Sequence, residues 1–260
     1  MKKALGLLSV LSLVLLGGCF EIDNSINLQK DLSGTADFHL GVDMEPMVIV
    51  MAQMAREMEG KKGPATQAEL AKARADFLKS SKKSESGKQP TRAEMEKSMP
   101  EGVKLLDFKS TEKDFGVATD FKFGFDRLSR LVGVKLPSKE GGDPTQKNVI
   151  DTPFEGLELI EKGDTVTIRT KPQNPTAAVE KEAEGGPKVD KDTEKMIRDA
   201  FSKMRVTYRI TAPFTVVSHN ATRREGNTLI WEYNLERFEK MAKMPAKSMD
   251  DMGVQVTYKR

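Results

Sequence analysis

Residues 20–44 read FEIDNSINLQKDLSGTADFHLGVDM. Ile22 to Gln29 alternate loosely between apolar and polar. Asp31, Ser33 and Gly34 then supply turn chemistry, and Thr35 to Val42 alternate again with Ala36, Phe38 and Leu40 on one side. The pattern predicts a β-hairpin with one buried face. His39 falls on its opposite, polar side.

The helix signals lie just beyond the hairpin. Pro46 suits a first helical turn after Asp43 and Glu45. Met47, Met51, Met54 and Met58 follow at spacings of four, three and four, which is one face of a helix. Met side chains on such a face fill a core or line an adaptable apolar groove. These four are the candidate apolar groove. Thioethers also suit Cu(I), but packing is the stronger reading.

Residues 61–102 are rich in Lys, Glu, Ala and Ser and read as a charged helical insertion. Thr66 with Glu69, and Thr91 with Glu94, have capping-box spacing. Helices are expected over about 66–80 and 91–99.

Alternation returns at 103–109 and 115–125, where Phe121, Phe123 and Phe125 share a side. One or two helical turns follow, with Asp126 as the expected cap. Two strands are expected between 154 and 171, and a helix over Asp192–Met204. The segment MRVTYRITAPF (204–214) is the clearest alternating strand, with Val206, Tyr208 and Ile210 on one side. Leu229, Trp231 and Tyr233 share a face after an REGN turn, and VQVTYKR (254–260) closes as a strand. Strands and helices do not alternate regularly. The expected fold is therefore α+β, a mainly antiparallel sheet packed against two or more helices, in a single extracytoplasmic domain over 19–260.

The N-terminus points to a compartment. Lys2 and Lys3 precede an apolar run, Ala4 to Leu16, of 13 residues. A helix of that length covers about 20 Å, against roughly 30 Å of hydrocarbon. Residues 1–18 thus read as a signal peptide. The chain has one cysteine, Cys19, so no disulfide forms within it. A catalytic thiolate needs a base nearby, and both histidines, His39 and His219, lie further along the chain.

Leu16, Gly17, Gly18 and Cys19 resemble the lipobox of bacterial lipoprotein precursors. That resemblance implies cleavage between Gly18 and Cys19, and acylation of Cys19. It places the protein in the cell envelope, tethered to a membrane by its N-terminal lipid; two acyl chains hold durably. Phe20 and Glu21 follow with no aspartate in the retention position, which implies the outer membrane where the organism has one.

Charge excludes little but is informative. There are 42 basic and 39 acidic residues. Two lysines lie in the first three positions, so the rest of the chain carries 40 against 39. Nothing in that balance steers it toward nucleic acid. No His/Cys/Asp/Glu cluster has zinc or calcium spacing, no phosphate loop follows a strand, and no serine elbow is present. No metal, cofactor or catalytic residue is expected.

Residues 205–238 carry a second resemblance, on Pro213, Val216, Asn220, Gly226, Asn227 and Trp231. They are similar to the end of the mycobacterial LppM-like lipoproteins, as is the opening strand with its Ser33–Gly34 turn. The resemblance implies an extracytoplasmic α+β domain, with lipid or glycolipid binding suggested for some members. It brings no catalytic residues. Read by themselves, Pro213 ends a strand, Asn220 closes a turn, Gly226–Asn227 turns the chain and Trp231 packs in the core.

The expected function is a non-enzymatic, lipid-anchored envelope protein that binds an apolar ligand such as a lipid, or a partner protein. The alternatives are an envelope assembly component docking through 61–102, and an uncharacterised hydrolase.

Overall fold

A computed structural model describes residues 19–83, 91–135, 153–154, 156–170, 195, 198–199, 201–242 and 253–260. The signal segment 1–18, and residues 192–194, 196–197 and 200 of the expected helix 192–204, lie outside them.

The opening hairpin forms β1 (Cys19–Leu28) and β2 (Gly34–Asp43), paired antiparallel from Cys19↔Asp43 to Leu28↔Gly34. The turn is tight. Asp31 accepts from the Ser33 amide at 3.0 Å and its hydroxyl at 2.6 Å, and Leu32 takes a φ of 66°. Leu32 is also buried in the core. A Cβ on Gly34 would stand 2.0 Å from the Asn27 carbonyl oxygen, so only glycine fits the pairing there.

Among the described residues the strands form two sheets. β3 (Val103–Lys113) and β4 (Gly116–Phe125) extend the hairpin on the β2 side. β7 (Arg205–Thr211), β10 (Thr228–Asn234) and the short β9 (Arg223–Glu225) extend it on the β1 side. The seven-stranded order is β3-β4-β2-β1-β7-β10-β9. β1 and β7 run parallel, from Glu21↔Arg205 to Asn27↔Thr211; the other pairs are antiparallel. The second sheet, order β5-β6-β11-β8, joins β5 (Leu157–Lys162), β6 (Thr165–Thr170), β11 (Gln255–Lys259) and β8 (Thr215–His219). The α+β class holds, with a second sheet in addition to the helices as a layer over the first.

Alternation decides the faces. Ile26, Ala36, Phe38, Phe121, Phe123, Ile210 and Trp231 turn to the inner face of the large sheet. They share one core with Leu157, Val166, Ile168, Val256 and Tyr258 of the small sheet. Phe154, before β5, links them: its ring centroid lies 6.4 Å from that of Phe38 and 5.8 Å from that of Phe123. On β3 the register shifts between Leu105 and Asp107, and this bulge leaves Leu106 exposed.

The helices occupy the sheet's ends. α1 (Glu45–Met58) begins straight after β2, with Pro46 in its first turn as expected. α2 (Gln67–Lys83) packs back on it, and α3 (Arg92–Lys97) carries the full Thr91/Glu94 capping box. Met95 of α3 is buried in the main core. The 3-10 turn Leu128–Gly133 is not capped by Asp126. Arg127 takes the cap position, and the Asp126 amide donates to the Gly102 carbonyl instead. α4 (Leu235–Ala242) was not expected; Asn234 caps it by accepting from the Arg237 amide at 3.0 Å.

Candidate functional site

The two sheets differ in length. β1, β2 and β4 have ten residues each, while β5, β6, β8 and β11 have five or six. At about 3.3 Å per residue, the long strands span roughly 33 Å and the short ones about 17–20 Å. Among the described residues, the small sheet's strands are thus shorter than the inner face they pack against.

Burial along each strand records where the cover stops. On β1, Ile26 and Leu28 are buried, while Ile22 and Phe20 are half-buried. On β2, Ala36, Phe38 and Leu40 are buried and Val42 is half-buried. On β4, Phe121 to Phe125 are buried on this face, and Val117 and Thr119 are half-buried. On β7, Tyr208 is half-buried between the buried Val206 and Ile210, and Phe238 of α4 is half-buried as well. The result is a half-buried apolar strip at the end of the sheet where β1 begins. Its members touch the main core, so it is a margin of that core.

Asn24 sits at the strip's inner limit. It shares the inner face with Ile22 and Ile26, and pairs with Phe38 on one side and Tyr208 on the other. It is 3% exposed, and its Oδ1 has no hydrogen-bond partner among the described residues. Buried polar atoms normally have one. Tyr208 and Tyr233 close the strip on the β7–β10 side, edge to face at 6.3 Å between centroids. Burial pushes the Tyr208 hydroxyl up and that of Tyr233 up to about 12, although the Arg237 guanidinium, 4.4 Å over the Tyr233 ring, opposes the rise.

Cys19 comes just before Phe20 in sequence. It is the first residue of β1, pairs with Asp43, and Asp43 in turn pairs with Gly116.

The four methionines expected to line a groove divide. Met47 and Met54 are buried with Val50, against Met44 and Phe77, in a small core between α1 and α2. Met51 and Met58 are exposed. Phe77 also stacks on Phe115, centroids 5.9 Å apart, which fixes α2 over the β3–β4 turn. The loop between the helices is closed by polar contacts. Gln53 Oε1 accepts from the Ala65 amide at 2.7 Å, and both Glu69 oxygens accept from Arg56 Nη1 at 2.8 Å. The Thr66 amide and hydroxyl also bond Glu69, with further help from Arg56 and Lys61, and hold its carboxyl down at about 2.

Of the second residue set, the structure brings Asn220 and Trp231 together. Trp231 is fully buried, and its Nε1 donates to Asn220 Oδ1 at 2.6 Å. The same oxygen accepts from the Gln255 amide at 2.9 Å, and Asn220 Nδ2 donates to the Gly253 carbonyl at 2.7 Å. Asn220 thus ties β10 to the start of β11. Gly226 turns the chain between β9 and β10 with φ 58°, Asn227 is exposed beside it, and the Asn227 carbonyl accepts from the Ala212 amide. Pro213 is exposed between β7 and β8.

The outer face of the large sheet is ionic. Glu21 pairs with Arg205 and Asp23 with Arg209. Lys122 lies 3.1 Å from Asp37, Arg223 lies 3.3 Å from Glu232, and His39 Nδ1 lies 2.6 Å from Asp120. His219 Nδ1 accepts from the Ala221 amide. Among the described residues no group of three or more His, Cys, Asp or Glu is placed to hold a metal ion. No described helix is long and apolar enough to cross a membrane.

The strip's polar member was readable only in part. Asn24 stands on the apolar side of an alternating strand, and that mismatch is visible in the sequence. Where the second sheet ends is not.

No family model matches this chain, and no curated protein matches it by sequence. A solved structure, the NMR structure of the folded domain of LppM from Mycobacterium tuberculosis, is similar to it. The two share 10% identity over 93% of this chain and 89% of that one, with a TM-score of 0.43. The likeness is a weak one, of fold alone.

Proposed function

We propose that this chain is a non-enzymatic, lipid-anchored envelope protein that binds an apolar ligand, a lipid, at the end of its large sheet where β1 begins. The observation that carries this reading is the half-buried strip of Phe20, Ile22, Val42, Tyr208 and Phe238, which begins one residue from Cys19. The lipobox resemblance supports acylation at Cys19, in the outer membrane where there is one. The ionic outer face adds little binding energy, since exposed pairs contribute about 0–1 kcal/mol each.

Assembly through 61–102 draws less support. Gln53, Arg56 and Glu69 stitch its first part to α1, and Met95 buries its last part in the core.

The test has two arms. The intact mass of the mature protein, taken from its own membranes, is expected to show an acylated Cys19, and Cys19→Ser is expected to release the chain from those membranes. A Cys19→Ser chain that still sediments with them contradicts the anchor. Gentle extraction is expected to yield a non-covalent lipid in native mass spectra. Clean apoprotein with a stoichiometric protein partner contradicts the ligand reading.

A further inference from the structure

The strip ends inward on one polar atom. Asn24 lies mid-strand in β1, a position where asparagine is disfavoured, flanked by Phe38 and Tyr208 in the sheet and by Ile22 and Ile26 along the strand. Its Oδ1 is buried and has no donor among the described residues. A carboxamide oxygen accepts and does not donate. What it lacks is an O–H or N–H donor; toward the start of β1 its neighbours on this face are the half-buried Ile22, between the buried Leu40 and Val206, and the half-buried Tyr208.

We infer that Asn24 is the polar recognition point of the strip: its Oδ1 accepts a hydrogen bond from a hydroxyl or amide N–H of a lipid whose hydrocarbon lies along Phe20, Ile22 and Val42. This rests on the apolar-ligand reading of the strip and adds a chemical class to it. Apolar contact supplies most of the affinity. The orphaned acceptor supplies selectivity, because a chain without a donor leaves it unpaired.

Two photoactivatable probes test this on the full mature chain purified in detergent. One is a diazirine-bearing tetradecanol and the other is its O-methyl ether. Labelling is read by intact mass. The alcohol is expected to half-saturate at about one tenth of the ether's concentration, the size of one hydrogen bond. In Asn24→Leu the two probes converge, while the ether labels as in the parent. Asn24→Asp, which retains an acceptor, keeps the preference. Native emission from the single tryptophan confirms that each variant is folded. Equal half-saturation of the parent by both probes, as expected if a buried water already serves Asn24, overturns the inference and leaves the ligand reading standing. A preference that survives Asn24→Leu overturns it too. Failure of both probes to label saturably overturns the ligand reading, and this inference with it.

Discussion

Trp231 and Asn220 show what a single contact holds. The indole is fully buried and its N–H has Asn220 as acceptor. Asn220→Ala strands that donor and frees the Gly253 and Gln255 backbone groups. The expected loss is about 1–3 kcal/mol, read as a lower urea midpoint by Trp231 fluorescence; an unchanged midpoint contradicts the role. Tyr233 sets an alkaline limit. Burial raises its folded value to about 12, from 10. Its contribution is therefore complete below pH 10 and is lost as pH rises from 10 through about 12. Tyr233→Phe is expected to remove that part of the alkaline unfolding transition. The sequence made Trp231 legible as core and Asn220 as a turn residue. It did not show that they touch, because the bond spans the two sheets.

At the scale of elements, alternation located β1, β2, β7 and β10, since each has one buried and one polar face. It did not locate α4, whose described apolar residues are few; Asn234 ahead of a charged run was the available signal. The parallel pairing of β1 with β7 joins Glu21 to Arg205 across most of the chain, and no local pattern encodes such a register. The α1–α2 pair makes the sharpest prediction at this scale. Glu69 is held at about 2, below its free value of 4.5. Its support for the α2 cap is complete above pH 4.5 and is lost as pH falls through about 2. An NMR titration of the Glu69 carboxyl is expected to place its midpoint there. Thr66→Ala is expected to move that midpoint up, toward the free value.

Among the described residues, a long seven-stranded sheet shares one core with a shorter four-stranded one. The sequence disclosed the number of strands roughly, but not their division into two sheets of unequal length. The half-buried strip lies at the end of the large sheet where β1 begins, the end that α1, α2 and α4 also adjoin. The methionine helix, which carried the clearer periodicity, spends Met47 and Met54 on a small core with α2. Periodicity reports that a face is apolar; it does not report what covers it.

The most direct measurement is photocrosslinking of the purified mature protein with a diazirine-bearing tetradecanol, followed by peptide mapping. The account predicts non-covalently recruited label on residues 20–24, 206–208 and 235–238, and none on Met51 or Met58. Label concentrated on the exposed methionines of α1, or absent from every strip residue while Cys19 is acylated, contradicts it.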